Sequence, residues 1–216
     1  MLYNYIAIEG NIGSGKTTLA SKLAADFNSR LILEQFTDNP FLENFYSSQG
    51  ENALALELFF MAERYSQLKN EQQNDLFHSN LFSDYFFIKS KLFAHNNLHS
   101  DELFLFNRLF KIMNSSIKTP DLVIYLYADV KRLKKNISLR GRKYESKITD
   151  RYLKDIQLTY LDYLKKQKLF PVIILNVTNV DFVKNQQVYD KIKSIINKKY
   201  NEGIYFFNLT NFSNLS

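Results

Sequence analysis

The segment from Gly10 to Thr17 has the composition and the spacing of a phosphate-binding loop. Its sequence, GNIGSGKT, matches the pattern G-x-x-x-x-G-K-[ST], and it lies between a short apolar run and a helical pattern. Glycines let the backbone turn its N–H groups onto phosphate oxygens, and the start of the following helix adds partial positive charge. The loop predicts nucleotide binding, with Lys16 at the outer phosphates, by the residues Gly10, Asn11, Ile12, Gly13, Ser14, Gly15, Lys16, Thr17 and Thr18.

Two carboxylates come directly after predicted strands. Glu34 follows the apolar residues 31–33, and Asp84 follows residues 81–83. In an open parallel sheet the carboxyl ends of the strands form the edge where ligands bind. We predict that Glu34 accepts the proton of a hydroxyl group, with a structural ion pair as its alternative role. Asp84 and Thr17 are predicted ligands of Mg²⁺, and capping of the next helix is the alternative role of Asp84.

A basic segment spans residues 131–143 and holds seven of the 28 lysines and arginines of the chain. Two of its arginines, Arg140 and Arg142, flank Gly141, which gives the backbone freedom to close over a ligand. The guanidinium group suits phosphate oxygens, so we expect both arginines to act on phosphate. The alternative is a run of solvated charge. Asp129, directly before the helical pattern, is the predicted N-cap of this helix.

Five predicted strands must position these residues. Helical patterns separate them and are long enough for right-handed crossovers, which indicates a parallel sheet with helices on both faces. The fold class is therefore doubly wound α/β. We expect a single domain over residues 1–200 and a C-terminal tail over residues 201–216. The predicted strands cover residues 5–9, 31–33, 81–83, 122–128 and 172–175.

The composition is that of a globular protein. The chain has 216 residues, of which 45% are hydrophobic, and a net charge of +6. It has no cysteine, which excludes disulfides and thiolate metal sites, and we find no apolar run near the roughly 18 residues of a membrane span. The modest positive charge suits a small anionic substrate, so neither nucleic acid nor membrane is an expected partner. The loop starts too early for a targeting segment, so the expected location is cytoplasmic.

The motif that runs from Ile8-Glu9 through the loop to Thr18-Leu19 resembles the opening of the deoxynucleoside kinases, especially the bacterial deoxyadenosine and deoxyguanosine kinases. Further motifs agree in order, and the resemblance spans roughly residues 3–196. It implies a P-loop kinase fold with a short arginine-containing lid, the use of ATP and Mg²⁺, and a homodimer. The later motifs are Asn44-Phe45-Tyr46, residues 59–68, Leu92-Phe93-Ala94, and Leu139-Arg140-Gly141-Arg142 with Glu145.

The resemblance also implies roles for individual residues. Glu34 corresponds to the catalytic base, Tyr46 to the tyrosine that contacts the sugar, and Phe93 to the phenylalanine that stacks on the base. Lys16, Arg140 and Arg142 join Glu34 as the predicted catalytic residues, and Glu145 belongs to the predicted substrate site. Asp84 is a further predicted substrate contact.

Three positions depart from the family pattern. The third strand ends in Ser83-Asp84-Tyr85 without the usual arginine, and we predict that Lys89 supplies that charge at the substrate site. Asn136 stands where the first lid arginine is expected. Glu57, eleven residues after Tyr46, stands where the family has the glutamine that reads the base.

Glu57 and Arg64 lie at helical spacing and are predicted to face one substrate pocket. An ionised carboxylate only accepts hydrogen bonds, so Glu57 should favour guanine, adenine or cytosine over thymine. If Arg64 donates a hydrogen bond to N7 or O6 of a purine, the site should prefer purines. The alternative is that Glu57 and Arg64 pair with each other.

The predicted function is ATP-dependent phosphorylation of the 5′-hydroxyl of a deoxyribonucleoside, purine preferred, as in nucleotide salvage. One alternative is a nucleoside monophosphate kinase similar to thymidylate kinase. Its charged acceptor would call for an arginine near Asp84, where the sequence has none. The other alternative is a P-loop NTPase that acts as a switch and gates a partner.

Overall fold

A parallel β-sheet forms the centre of the molecule. The structure is a computed structural model and describes residues 2–35, 39–47, 51–71 and 80–209. Six strands lie within these residues, in the order β2-β3-β1-β4-β5-β6, and every neighbouring pair is parallel. The strands are β1 Tyr5–Gly10, β2 Arg30–Ile32, β3 Leu81–Ser83, β4 Leu122–Tyr127, β5 Pro171–Asn176 and β6 Gly203–Asn208.

The helices cover both faces of the sheet, as their apolar stripes require. On one face Ile6 and Ile8 of β1 pack with helices α1, α6 and α8; on the other, Tyr5 and Ala7 pack with α3, α4 and α5. Side chains alternate along a strand, so one strand contributes to two separate cores. The helices are α1 Lys16–Asp26, α2 Leu42–Ser47, α3 Ala53–Glu71, α4 Ile88–Asn97, α5 Ser100–Asn114, α6 Val130–Arg140, α7 Asp150–Lys166 and α8 Gln186–Ile196.

The predicted fold class is confirmed, but the predicted number of strands is wrong. The sheet has six strands in the described residues, not five, because β6 pairs with β5 inside the segment that the sequence predicted as a tail. This strand lies at the sheet edge, its side chains are at least partly exposed, and its neighbours are rich in asparagine. Its apolar residues 204–207 form a run as long as that of β5, but the asparagines around them are typical of a tail. Residues 210–216 of the predicted tail lie outside the described residues.

The strand order places a topological switch point at β1. Strands β3 and β4 lie on opposite sides of β1, so the connections run in opposite directions from it and leave a crevice at the carboxyl end of β1. The glycine-rich loop occupies this crevice, and residues after β2 and β3 lie beside it. No helix in the described part of the chain is both long and apolar enough to cross a membrane.

Candidate active site

The loop between β1 and α1 is held tightly by its own backbone and by α6. Gly13 has a φ of 80°, and a Cβ at this position would lie 2.8 Å from the carbonyl oxygen of Leu133, so glycine is required there. Asn136 donates from Nδ2 to the carbonyl oxygen of Gly13 at 2.7 Å. The residue that replaces the expected first lid arginine therefore ties α6 to the loop.

Lys16 lies at the end of the loop. Its Nζ donates to the carbonyl oxygen of Asn11 at 2.9 Å. Burial lowers the pKa of Lys16 to about 8, with a further contribution from the charge of Lys89. A half-buried ammonium group with a lowered pKa is stabilised by any added negative charge, such as that of a phosphate.

Asp84 joins three elements at the sheet edge. Its Oδ2 accepts a hydrogen bond from Thr17 Oγ1 at 2.5 Å, and its Oδ1 accepts one from the backbone N–H of Glu34 at 2.7 Å. The N-cap of α4 is Phe87 and has no side-chain cap, so the capping alternative for Asp84 is wrong. The described residues contain no cluster of three or more His, Cys, Asp or Glu side chains suited to a metal. Thr17 and Asp84 thus offer two hard oxygen ligands, and a metal there would take its remaining ligands from phosphate and water.

Glu34 is paired with two cations. Lys89 Nζ lies 2.5 Å from its Oε2, and Arg64 Nη2 lies 2.7 Å from its Oε1. Burial alone would raise the pKa of Glu34, but the charges of Lys89 and Arg64 outweigh it and hold the pKa well below its usual range. The carboxylate is therefore ionised at neutral pH. The structural ion pair that was the alternative role of Glu34 is present, and Glu34 also lines a cleft.

This first cleft opens at the carboxyl edge of the sheet. Its aromatic wall includes Tyr46, whose ring lies 6.4 Å from that of Tyr144 and 6.1 Å from that of Tyr152. The structure brings together here most of the predicted catalytic and substrate residues, namely Lys16, Glu34, Tyr46, Glu57, Arg64, Lys89, Phe93, Arg140, Arg142 and Glu145.

A second cleft lies on the other side of the loop. Loop residues 13–18, the basic face of α6 and residues of the segment 177–184 line it. Four residues line both clefts: Gly13, Lys16, Arg140 and Arg142. Two ligands bound in the two clefts would therefore meet at one lysine and two arginines.

The two arginines lie where α6 ends. The helix begins after Asp129, which accepts a hydrogen bond from the backbone N–H of Arg132, so the predicted N-cap is confirmed, and it ends at Gly141 with a φ of 71°. Arg140 Nε donates to Glu145 Oε2 at 3.0 Å, and Arg142 Nη1 lies 3.3 Å from Glu145 Oε1. The buried Glu145 thus holds both guanidinium groups at the mouth of the two clefts.

Glu57 of α3 does not pair with Arg64. Its Oε1 accepts a hydrogen bond from Asn97 Nδ2 at 2.6 Å, whereas Arg64 donates to Glu34 and to Ser90. The alternative of a Glu57–Arg64 pair is therefore wrong. Burial raises the pKa of Glu57 to about 7, although Arg64 and the bond from Asn97 oppose the shift. This shift makes the neutral form of the carboxyl accessible near neutral pH, beside the ionised form that the sequence suggested.

The sequence matches the profile of the deoxynucleoside kinase family over residues 6–201. The chain belongs to the deoxynucleoside kinase family. It is 32% identical over 193 residues to a deoxyguanosine kinase of Bacillus subtilis, covering 87% of this kinase and 93% of the relative. A deoxyadenosine kinase of Lactobacillus acidophilus is 26% identical over 207 residues, covering 91% and 96% of the two chains.

Solved structures agree with the fold of this kinase. The structure of deoxyadenosine kinase from M. mycoides with bound dCTP superposes with a TM-score of 0.73 at 20% identity and covers 88% of this chain and 99% of that chain. The predicted P-loop kinase fold and the predicted family are confirmed. The kinase is a phosphotransferase that acts on nucleosides, which favours this function over the monophosphate-kinase and switch alternatives.

Some residues of the kinase site were not predicted from the sequence. Asn97, Tyr144 and Tyr152 line the first cleft, and none stands in a motif. Glu9 is fully buried at the end of β1, where it accepts hydrogen bonds from the backbone N–H of Phe86 and from Tyr160 Oη, each at 2.9 Å. Burying a carboxyl group inside a strand is unfavourable unless the group is hydrogen-bonded. The presence of Glu9 in the apolar run of β1 could therefore have been used to predict a buried residue with hydrogen-bond partners.

Proposed function

We propose that this kinase transfers the γ-phosphoryl group of ATP to the 5′-hydroxyl of a deoxyribonucleoside and prefers purine deoxynucleosides. The observation that carries the proposal is the meeting of two clefts at Lys16, Arg140 and Arg142, with the carboxylate of Glu34 in one of them. The second cleft, which contains the phosphate-binding loop, takes ATP. The first cleft, with its aromatic wall, takes the nucleoside.

The proposed mechanism rests on position and charge. Lys16 and the two arginines neutralise the negative charge on the transferred phosphoryl group. Glu34 accepts a hydrogen bond from the 5′-hydroxyl and aligns its oxygen for in-line attack. In a loose transition state the bond between the hydroxyl oxygen and the phosphorus is only weakly formed, so the hydroxyl group keeps its proton until late in the step. A carboxylate with a low pKa therefore still serves to orient the hydroxyl group and to accept its proton at the end.

The nucleoside contacts follow from the walls of the first cleft. Tyr46 is placed against the sugar and Phe93 against the face of the base, as the resemblance implies. Glu57 lies where it can meet the edge of the base. The relatives named as deoxyguanosine and deoxyadenosine kinases support the purine preference. Arg64 is held by Glu34 and Ser90, so its expected contact with a purine stays a prediction.

Mg²⁺ is proposed to be held by Thr17 and Asp84, which the structure places within one hydrogen bond of each other. The bound ion would neutralise phosphate charge and orient the phosphates. We expect Asp84→Asn to raise the Mg²⁺ concentration for half-maximal activity by about tenfold or more, because it removes a charged oxygen ligand. Titration of activity with Mg²⁺ measures this. Asp101→Asn on the exposed side of α5 is the matched control, and equal effects of the two substitutions would contradict the assignment.

The lid arginines give a second prediction. Arg140→Ala and Arg142→Ala should each lower kcat by about 10²-fold, because each removes a cation from the junction of the clefts. Lys131→Ala should leave kcat near the parent value, since Lys131 lies at the exposed start of α6 and lines neither cleft. Steady-state kinetics of the three variants test the placement of the lid. A larger loss for Lys131→Ala than for either arginine would show that it is misplaced.

Release of ADP from MgATP in the presence of a panel of acceptors tests the proposed function. The panel contains deoxyguanosine, deoxyadenosine, deoxycytidine, thymidine and the corresponding monophosphates. We expect strong stimulation by the purine deoxynucleosides and little by the monophosphates. Stimulation by monophosphates alone would favour a monophosphate kinase, and slow turnover indifferent to every acceptor would favour a switch.

The assembly and the location are also proposals. The resemblance supports a homodimer, and α5 offers a surface for it, because four of its exposed apolar residues fall on one side of the helix. They are Phe104, Leu105, Leu109 and Ile112. Light scattering of the purified chain measures the assembly directly.

A cytoplasmic location is consistent with the absence of cysteine.

A further inference from the structure

One buried carboxyl oxygen in the first cleft lacks a partner. Glu57 is 1% exposed and lines the cleft. Its Oε1 is occupied by Asn97 Nδ2 at 2.6 Å, but its Oε2 has no hydrogen-bond partner among the described residues. A buried polar atom is normally bonded, and the cost of leaving it unpaired is about 1–3 kcal/mol. This oxygen is therefore a candidate to bond with a ligand in the cleft.

The pattern of hydrogen bonds that this carboxyl offers depends on its proton. When ionised it presents two acceptors, and when neutral it presents one donor and one acceptor. The Watson–Crick edge of guanine offers two adjacent donors, N1–H and the N2 amino group. The corresponding edge of adenine offers the acceptor N1 and the N6 amino donor. At N1 and the exocyclic amino group beside it, the ionised carboxylate thus complements guanine at N1–H and N2, and the neutral acid complements adenine at N1 and N6. The neutral acid would match guanine only at O6 and N1–H, which requires a base shifted along its edge.

We propose that Glu57 selects between the purines by its protonation, so that the ionised carboxylate favours deoxyguanosine and the neutral acid favours deoxyadenosine. The inference rests on the proposed function, in which the first cleft holds the base. It makes the ranking of the two substrates depend on pH within the neutral range.

The surroundings of Glu57 are suited to such a change. Arg64 of α3 and Lys89 of α4 both face the cleft, but both are paired with Glu34, so neither is a dedicated partner of Glu57. Tyr46 of α2 and Tyr152 of α7 stay neutral, because burial raises their pKa values well above 10. Burial likewise raises the pKa of Glu57 to about 7, against the opposing charge of Arg64.

The experiment compares two substrates in the same enzyme. The kcat/KM values for deoxyguanosine and deoxyadenosine are measured from pH 6 to pH 8 at saturating MgATP, and their ratio is taken at each pH. Effects of pH on steps shared by both reactions, including the titration of Lys16, cancel in this ratio. If each form accepts one base, the ratio of deoxyguanosine to deoxyadenosine should rise by about tenfold per pH unit near the pKa, because the ratio of ionised to neutral carboxyl changes by that factor.

Two variants serve as controls. Glu57→Gln keeps the shape of the side chain but cannot ionise, so its ratio should be independent of pH and should favour deoxyadenosine, whose N1 and N6 amino group match an amide where guanine presents two donors, N1–H and N2. Asn97→Ala removes the hydrogen bond that favours the ionised form, so the pH dependence should remain and the pH at which the two substrates are used equally should be higher. This second variant keeps the test available should Glu57→Gln not fold.

A ratio that does not change with pH in the parent, or that changes equally in Glu57→Gln, would overturn the inference. Calorimetric binding of the two nucleosides without ATP separates this result from failure of the proposed function. Phosphorylation of both nucleosides at a constant ratio contradicts the role of Glu57 alone. Binding that depends on pH as described, without any phosphorylation, supports the role of Glu57 and contradicts the proposed reaction, and binding of neither nucleoside contradicts both.

Discussion

Lys16→Ala is expected to lower kcat by about 10³-fold or more and to leave the protein folded. Lys16 lies at the junction of the two clefts, where the transferred phosphoryl group passes in the proposed reaction, and it is a cation that can neutralise the charge on that group. In the structure its Nζ bonds to a backbone carbonyl of the loop, and among the described residues it forms no ion pair that its removal would break. Kinetic assays at saturating substrates measure the loss.

The stability of the Lys16→Ala protein has an expected sign. Burial lowers the pKa of Lys16 to about 8, so the charged form is less favourable in the folded chain than in the unfolded chain. Loss of the ammonium group should therefore maintain or raise the melting temperature at neutral pH. Lys22→Ala is the matched control, because Lys22 lies on the same helix but its Nζ sits over the Tyr189 ring, outside both clefts. Near-normal kcat in Lys16→Ala would remove the loop lysine from the mechanism.

Glu34→Gln is expected to lower kcat by about 10²-fold or more, with a smaller change in the KM for ATP. The substitution keeps the shape of the side chain but removes the negative charge that we propose accepts the hydroxyl proton. Glu34 lines the first cleft and not the second, so binding of ATP should be affected less than the chemical step. Steady-state and single-turnover measurements separate the two effects.

The ion pairs of Glu34 require a structural control for this prediction. Removing its charge leaves Lys89 and Arg64 without their partner, which could destabilise the fold by up to about 3 kcal/mol. Glu34→Asp keeps the charge and shortens its reach, so it should stay closer to the parent in stability while still losing kcat. A loss of stability without a loss of kcat in either variant would show that Glu34 has a purely structural role.

Much of the site was predictable because its signals are local. The loop is a continuous motif whose glycines and lysine are recognisable from spacing alone, and the structure places it between β1 and α1 as predicted. Glu34 and Asp84 were predictable from their positions after strands, since the carboxyl ends of parallel strands meet at one edge. The hydrogen bond between the backbone of Glu34 and the side chain of Asp84 shows that the two ends do meet.

Other features depend on contacts between distant parts of the chain. Helical spacing placed Glu57 and Arg64 on one helix face, but it could not show that Glu34 and Asn97 would be their partners, because those residues come from other elements. The raised pKa of Glu57 depends on burial among these elements and is equally invisible in the sequence. Strand β6 was missed although its residues 204–207 are apolar, because the asparagines around them are typical of a loop or tail. Its pairing with β5 is what identifies it as a strand.

Transfer of a labelled γ-phosphoryl group from ATP to deoxyguanosine tests the central claim most directly. We expect the label to appear in deoxyguanosine 5′-monophosphate, in a one-to-one ratio with the ADP formed, and we expect no labelled nucleotide from an analogue that lacks the 5′-hydroxyl. Label found only in inorganic phosphate, or transfer that persists to the analogue without its 5′-hydroxyl, would contradict the account.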